Sequence, residues 1–152
     1  MEMVLFCAGG FEDTADGKTL GDKARKQVAR VAQGVQRTLP KKVKAEVWSS
    51  FDADMSQLAD IIADEIGIKR KFVRSITQDN IDELLKIIRD YGKDRTLIIV
   101  ADHRRAAGWL EELLGAAVPC RELSAAGLDL TPGEPGAELL WFAQPSITQR
   151  LR

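Results

Sequence analysis

The spacing of hydrophobic residues changes along the chain, and each change marks a predicted strand or helix. Residues 3–7 form a short apolar run that ends at two glycines, which is typical of a buried strand. Residues 11–19 are polar and contain a glycine, so they predict a loop. Over residues 20–39, apolar side chains recur every three or four positions and predict a helix with one buried face: Leu20, Ala24, Val28, Val31, Val35 and Leu39.

The middle of the chain alternates between strand and helix patterns. Period-two alternation over residues 43–47 predicts a strand, and the continuous apolar run 96–101 is typical of a central parallel strand covered on both faces. Three helices and one short strand are predicted around these two segments. They are a helix after Asp52 that ends at Gly67, a strand over 72–76, a helix that begins at Thr77 or Asp79 and ends at Gly92, and a helix over 104–114 that ends at Gly115.

The end of the chain has a different pattern. Residues 123–130 and 137–143 are strand-like, and the turn-rich sequence TPGEPG between them predicts a hairpin or an antiparallel addition at a sheet edge. The order of elements predicts an α/β fold, a three-layer α/β/α sandwich with a mostly parallel central sheet and C-terminal antiparallel strands. Ligands of such folds bind beyond the carboxyl ends of the strands, here at 7–11, 48–53 and 101–105.

Composition narrows the class of protein. The chain has 152 residues, 45% hydrophobic and 30% charged, so we expect a single globular domain over 1–152. No run reaches the ~18 apolar residues of a membrane span and no signal peptide is evident, so we expect a cytoplasmic protein without membrane contact. Cys7 and Cys120 form no disulfide framework and fit a reducing compartment, with Cys7 expected to be an inert core thiol. The one histidine, His103, excludes chemistry that needs two histidines from this chain.

Charge is uneven although its total is only −1, a value that makes nucleic acid an unexpected partner. Residues 18–44 hold nine basic residues and one acidic residue, a net +8, whereas residues 46–66 hold six acidic residues and no basic one, a net −6. Four bases lie opposite the apolar stripe of the first predicted helix: Lys23, Lys26, Arg30 and Arg37. This face either is solvated, which we favour, or docks an anionic partner.

Few residues at the predicted strand ends suggest chemistry by themselves. Gly9 and Gly10 follow a strand without any nucleotide-binding motif, so a tight turn explains them. Ser49 and Ser50 lack the surroundings of a nucleophilic serine and are expected to cap a helix. Asp102 and His103 could supply an acid–base pair or two metal ligands, but adjacent residues on an extended chain point in opposite directions. A solvated cap is the more common role for such a pair, and we expect no metal site and no cofactor.

Four segments together resemble a known family. They are LGDKARKQV at 20–28, VWSSFDADMSQLA at 47–59, TLIIVADHRRAAGWLEELLG at 96–115 and ELLWFAQP at 138–145. Their order and spacing resemble the SixA-type branch of the histidine phosphatase superfamily over nearly the whole chain. The resemblance implies a phosphoglycerate-mutase-like fold.

The same resemblance implies a pocket from which the family's chemistry has been lost. The family's R-H-G motif, whose histidine takes up the phosphoryl group, falls on Ala8, Gly9 and Gly10. Its second arginine falls on Ala53, and its second histidine falls on Asp102, or on His103 after a shift of one residue. The serine at Ser49 and the glycine at Gly10 are retained. A glycine cannot form a phosphoenzyme, and losing even one preorganised donor costs about 10²–10³-fold in rate.

We therefore expect a catalytically degenerate SixA-like protein with a binding or regulatory role toward an unidentified small ligand or protein. Two alternatives remain open at this stage. One is a phosphohistidine or phosphomonoester phosphatase, or another hydrolase, that uses Asp102 and His103. The other is an interaction module that uses the basic helix over 20–39. The sequence specifies no oligomeric state.

Overall fold

The structure is a computed structural model that describes residues 2–15, 17–39, 44–77, 80–91, 95–117, 120–130 and 136–144. Strands and helices alternate along most of the chain. In order they are β1 (Glu2–Ala8), β2 (Phe11–Thr14), β3 (Gly17–Leu20), α1 (Asp22–Thr38), β4 (Lys44–Ser49), α2 (Ala53–Ile66), β5 (Lys69–Phe72), a 3-10 turn (Arg74–Thr77), α3 (Asp82–Tyr91), β6 (Arg95–Asp102), α4 (His103–Leu114), β7 (Ala125–Leu130) and β8 (Ala137–Ala143).

Six strands form one sheet in the order β5-β4-β6-β1-β7-β8. The first four are mutually parallel, and β7 and β8 add antiparallel to one another on the β1 side. The predicted mostly parallel sheet with C-terminal antiparallel strands is confirmed. Strand β6 lies between two parallel neighbours and is apolar on both faces, so its whole middle is buried, as the run 96–101 predicts.

Helices cover both faces of the sheet and complete the three-layer sandwich. One core lies between the sheet and helices α1 and α2, and it includes the predicted α1 stripe residues Ala24, Val28, Val31 and Val35. The second core lies on the other face under α3 and α4 and contains Trp48 and Trp109. Gly67 and Gly115 end α2 and α4 in the left-handed conformation, with φ of 78° and 72°, as predicted.

Two segments differ from the sequence-based expectation. The predicted loop over 11–19 is the hairpin β2–β3, which pairs outside the main sheet and brings Leu20 into a strand rather than a helix. Mostly polar strands of this kind carry no alternating hydrophobic signal. The strand predicted at 72–76 begins at Lys69 and gives way to the 3-10 turn after Phe72, because a basic edge strand again lacks an apolar pattern. Helix α3 begins at Asp82, so the predicted start at Thr77 is wrong, because Thr77 is the last residue of the 3-10 turn. Asp79, the alternative start, and Gly92, the predicted end, lie outside the described residues.

Among the described residues, no helix has the length and apolar character needed to cross a membrane. The antiparallel strands predicted near the end of the chain are confirmed for the described residues. Strands β7 and β8 are paired from Ala125 opposite Ala143 to Leu130 opposite Ala137, with one irregularity in the register.

Candidate functional site

The carboxyl ends of β4, β6 and β1 lie along one edge of the sheet. Parallel pairing places Ala8, the last residue of β1, opposite Asp102, the last residue of β6. Ala8 is buried, and the chain turns away at Gly10, whose φ of +76° favours glycine. Three of the predicted pocket positions, Ala8, Gly10 and Asp102, therefore do lie at the ends of adjacent strands.

The space beside Gly9, where a side chain would lie in another residue, is filled by the side chain of Glu122. A Cβ placed at residue 9 would come within 2.6 Å of the Glu122 Cδ and closer still to its Cβ and Cγ, where real Cβ atoms are not found. The Gly10 amide donates a 3.4 Å hydrogen bond to Glu122 Oε2. The Glu122 side chain thus fills the space beside Gly9, the residue onto which the resemblance places the family's nucleophilic histidine. Glu122 is not among the residues predicted for this site, because nothing in its local sequence distinguishes this glutamate from other surface glutamates.

Backbone contacts fix the loop that carries Glu122 against the end of β1. The Cys7 amide donates a hydrogen bond to the Ser124 carbonyl, and the Leu123 amide donates one to the Cys7 carbonyl; each bond is 2.8 Å long. Leu123 has a φ of +64°, the one positive φ among the described non-glycine residues, and its side chain is buried. A leucine adopts this conformation only where its surroundings impose it, so the loop is tightly specified.

The two cysteines are joined across the same loop. Cys7, in β1, and Cys120, at the start of the loop, form a disulfide with a sequence separation of 113. The expectation of an inert core thiol at Cys7 is therefore wrong. Both residues are buried, Cys7 completely and Cys120 with 9% exposure, and only the fold brings two such distant positions together.

Asp102 and His103 take separate roles, as their adjacency predicts. Asp102 is the N-cap of α4: its Oδ1 accepts a hydrogen bond from the Arg105 amide at 3.1 Å, and its Oδ2 pairs with the Arg105 guanidinium at 2.9 Å. His103 instead directs Nε2 to the backbone carbonyl of Cys120. Because a carbonyl oxygen only accepts hydrogen bonds, Nε2 carries the proton in this contact. The ring therefore supports the loop that carries Glu122.

The remaining predicted pocket residues lie at the end of β4. Ser49 is buried and donates its hydroxyl to the Ser50 carbonyl, and Ser50 donates to Asp52 Oδ2 at 3.0 Å. Neither serine caps α2; Asp52 takes the N-cap position, without a side-chain capping bond. Ala53 is the exposed first residue of α2 and offers no charge to an anion.

Two exposed aromatic rings lie beside this end of the sheet. Phe51, which is 71% exposed, stacks on Phe72 with ring centroids 4.6 Å apart, and the Arg70 guanidinium lies 4.4 Å from the Phe72 ring centre. The local sequence gives no sign of this pair, because the two residues are 21 positions apart, with Phe51 after β4 and Phe72 at the end of β5.

The four bases predicted for the outer face of α1 are on the surface of the helix. Lys23, Lys26 and Arg37 are exposed and Arg30 is half-buried. The helix contacts α2 through uncharged donors, since Gln33 donates to Glu65 at 2.6 Å. Within the described part of the chain, no group of three or more histidine, cysteine, aspartate or glutamate side chains is placed to hold a metal ion.

Comparison with known proteins identifies the architecture. No protein-family profile matches the chain, and no curated protein sequence matches it. Solved structures do: the protein histidine phosphatase SixA in complex with tungstate has a TM-score of 0.76 at 11% identity, with 100% of both chains covered. A protein assigned as the phosphohistidine phosphatase SixA from Agrobacterium tumefaciens has a TM-score of 0.68 at 15% identity, covering 94% of this chain and 97% of that one.

A third similar structure is a mycobacterial glucosyl-3-phosphoglycerate phosphatase in complex with VO3, with a TM-score of 0.69 at 14% identity over 94% of this chain and 99% of that one. These similarities extend over essentially the whole length on both sides. The chain therefore has the fold of the histidine phosphatase, or phosphoglycerate-mutase-like, superfamily, in the form seen in SixA-type phosphatases.

Proposed function

We propose that this protein is a catalytically degenerate member of the SixA-like fold that acts by binding, as a regulatory protein, rather than by transferring phosphate. The observation that carries the proposal is the Glu122 side chain over Gly9. The position that would attack phosphorus holds no side chain, and the space beside it holds a carboxylate.

The charge of that carboxylate opposes the family's reaction. A phosphoryl transfer site needs a nucleophile and a preorganised positive cage for the charge that develops on the transferring group. Here the positions that the resemblance assigns to the two arginines are Ala8 and Ala53. Asp102 pairs with Arg105, and His103 contacts the Cys120 carbonyl. An ionised Glu122 repels a phosphoryl oxygen instead of attracting it.

We propose that the same strand ends bind a different class of ligand. Glu122 accepts a hydrogen bond from the Gly10 amide and presents the remaining carboxylate lone pairs to whatever enters beside it. We propose that the ligand, a small molecule or a segment of a protein partner, is less anionic than a phosphomonoester. We propose a cytoplasmic location from the sequence alone, and the Cys7–Cys120 disulfide removes the support that two free cysteines would give it.

A phosphatase assay tests the proposal directly. The full-length protein is incubated with a phosphohistidine peptide and with an aryl phosphate, next to an active SixA-type phosphatase as positive control. We expect turnover at the buffer level, and we expect tungstate, which occupies the SixA structure, to leave the melting temperature of this protein unchanged. Turnover above background that His103→Ala abolishes would overturn the proposal and establish the alternative, a hydrolase that uses Asp102 and His103.

A further inference from the structure

We infer that this protein has a second binding site, a cleft at the amino ends of β4, β5 and β6 that takes a small molecule with two or three linked phosphate groups. The cleft has a volume of about 660 Å³, which is within the range of pockets that hold small ligands. It lies at the opposite edge of the sheet from Gly9 and Asp102, so the inference does not rest on the proposed function.

The strand register places most of the charges of this cleft on one face of the sheet. Residues two positions apart in a strand share a face, and so do paired residues of neighbouring strands. The face in question is the one on which Trp48 enters the core under α3 and α4. Pairing of β4 with β5 and β6 adds to this face four bases and one carboxylate: Lys44, Lys69, Lys71, Arg95 and Glu46.

The two arginines that line the cleft are paired with carboxylates of the protein. Glu46 is 8% exposed, forms a salt bridge with Arg95 and accepts a 3.3 Å hydrogen bond from the Trp48 indole. Arg70 projects to the other face of the sheet, where its guanidinium lies 2.5 Å from an Asp60 carboxylate oxygen of α2. The lysines of the cleft therefore supply most of the charge that a ligand meets.

Three exposed lysines determine the class of ligand: Lys44, Lys69 and Lys71. Lysine binds phosphate as a compact point charge, whereas carboxylates are recognised best by the planar fork of arginine. Neighbouring strands lie about 4.8 Å apart, and alternate residues of one strand lie about 6.6 Å apart. A chain of linked phosphates matches this spread of positive charge better than a single tetrahedral oxyanion does.

Calorimetric titration of the full-length protein tests the site, with tripolyphosphate as the probe at physiological salt and without divalent cations. Inorganic phosphate, which has a single phosphorus centre, and citrate, which has three carboxylates, are titrated in parallel. We expect saturable binding of tripolyphosphate at one site. The other two anions should bind more weakly by about tenfold or more, since they lack either the span or the phosphate groups.

Two double variants remove the same charge from different places. Lys44→Gln with Lys69→Gln should weaken tripolyphosphate binding by about tenfold or more, because each loses a hydrogen bond between charged groups. Lys23→Gln with Lys26→Gln, on the exposed face of α1, should change the affinity by no more than about twofold, since salt screens distant surface charges. All four lysines are exposed, so both variants should fold.

Indole resonances locate the bound anion. Lys71 Nζ lies 5.4 Å from the centre of the Trp48 ring, whereas Trp141 is in β8 at the opposite side of the sheet. Saturation with tripolyphosphate should shift the Trp48 indole N–H resonance and leave that of Trp141 unchanged.

Several results would refute the inference. They are no binding of tripolyphosphate, equal weakening by the two double variants, and an unshifted Trp48 resonance at saturation. Citrate or inorganic phosphate bound as tightly as tripolyphosphate would refute the assignment to linked phosphates. None of these results bears on the phosphatase assay, so the two proposals fail separately.

Discussion

At the scale of single residues, the absence of a side chain at Gly9 is a structural requirement. The φ of Gly9 lies outside the left-handed region, so the backbone itself would accept another residue, and the constraint is the Glu122 side chain packed against it. Gly10 differs, because its φ of +76° favours glycine whatever surrounds it. The two neighbouring glycines therefore have different physical origins.

This difference predicts the behaviour of two substitutions. Gly9→Ala should lower the free energy of unfolding by about 1–3 kcal/mol, since the new Cβ overlaps Glu122. Combining it with Glu122→Gly should recover most of that loss in a double-mutant cycle measured by urea unfolding. Gly10→Ala is the matched control: its Cβ would lie 2.8 Å from the Ala24 Cβ and its backbone is strained, so Glu122→Gly should not rescue it. Equal rescue of both would contradict the assigned contact.

The sequence predicts part of this site and misses the rest for a definite reason. Asp102 as a helix cap follows from its place between an apolar strand and a helical pattern, and the structure confirms it. Glu122 and the Cys7–Cys120 link join segments more than 110 residues apart, and such pairs leave no local periodicity. They become visible only once β7 is known to lie antiparallel to β1.

At the scale of elements, one cross-strand contact between β7 and β8 is unusually close. Gly127 in β7 pairs with Trp141 in β8, and the indole lies directly on the glycine backbone. Strand β8 is the sheet edge and carries two exposed leucines, Leu139 and Leu140, so the packing of its tryptophan adds to the anchorage that strand pairing and the packing of Ala137 and Phe142 provide.

Gly127→Ala should displace the indole and loosen β8. Its Cβ would lie 2.8 Å from Trp141 Cδ1 and closer to two other ring atoms, so the indole has to move off the glycine. We expect a loss of about 1–3 kcal/mol in unfolding free energy and faster amide exchange across β8.

Gly108→Ala provides the control for that measurement. Gly108 lies in α4, is exposed, and has open space where a Cβ would go. The substitution should stabilise the protein by about 0.5–1 kcal/mol, because alanine has the higher helix propensity. A Gly127→Ala variant that is as stable as Gly108→Ala would show that Trp141 does not pack on Gly127.

Elements with a strong apolar pattern could be predicted from the sequence, and elements defined by edges could not. Strand β6 is buried on both faces and is apolar throughout its middle. Helix α1 is buried on one face and has apolar residues along that face only. The hairpin β2–β3 and the edge strand β5 are mostly polar or basic, and in the hairpin only Leu20 is buried while Phe11 packs against the core beside it. Their strand conformation comes from pairing partners that the local sequence does not reveal.

At the scale of the whole molecule, the acidic and basic stretches of the sequence do not simply neutralise each other. Glu46 forms a salt bridge with Arg95 in the neighbouring strand, and Asp60 forms one with Arg70, with 2.5 Å between the nitrogen and the oxygen. Both bases lie outside the basic stretch 18–44. The exposed bases of α1 thus keep their contact with water, as expected for a solvated outer face.

Neutralising that face should change little. The double substitution Lys23→Gln and Lys26→Gln should alter the unfolding free energy by no more than about 0.5 kcal/mol, since surface changes away from specific contacts are nearly neutral. Binding to an acidic protein should be absent in both forms at physiological salt. Steeply salt-dependent binding that the double variant loses would instead assign the anionic-partner role to α1.

The Cys7–Cys120 link couples the redox state to the stability of the entire chain. It joins positions 113 residues apart and so restricts most of the unfolded polypeptide. Disulfides that close long loops typically stabilise proteins by about 2–4 kcal/mol, largely by reducing the freedom of the unfolded state in the chain-entropy account.

For a chain of about 150 residues each kcal/mol moves the melting temperature by roughly 2–4 °C. Reduction should therefore lower the melting temperature by about 4–16 °C in a thermal scan, while Cys120→Ser, which already lacks the link, should melt at the same temperature with and without reductant. If reductant leaves the melting temperature of the native protein unchanged, the two sulfurs are not joined in solution.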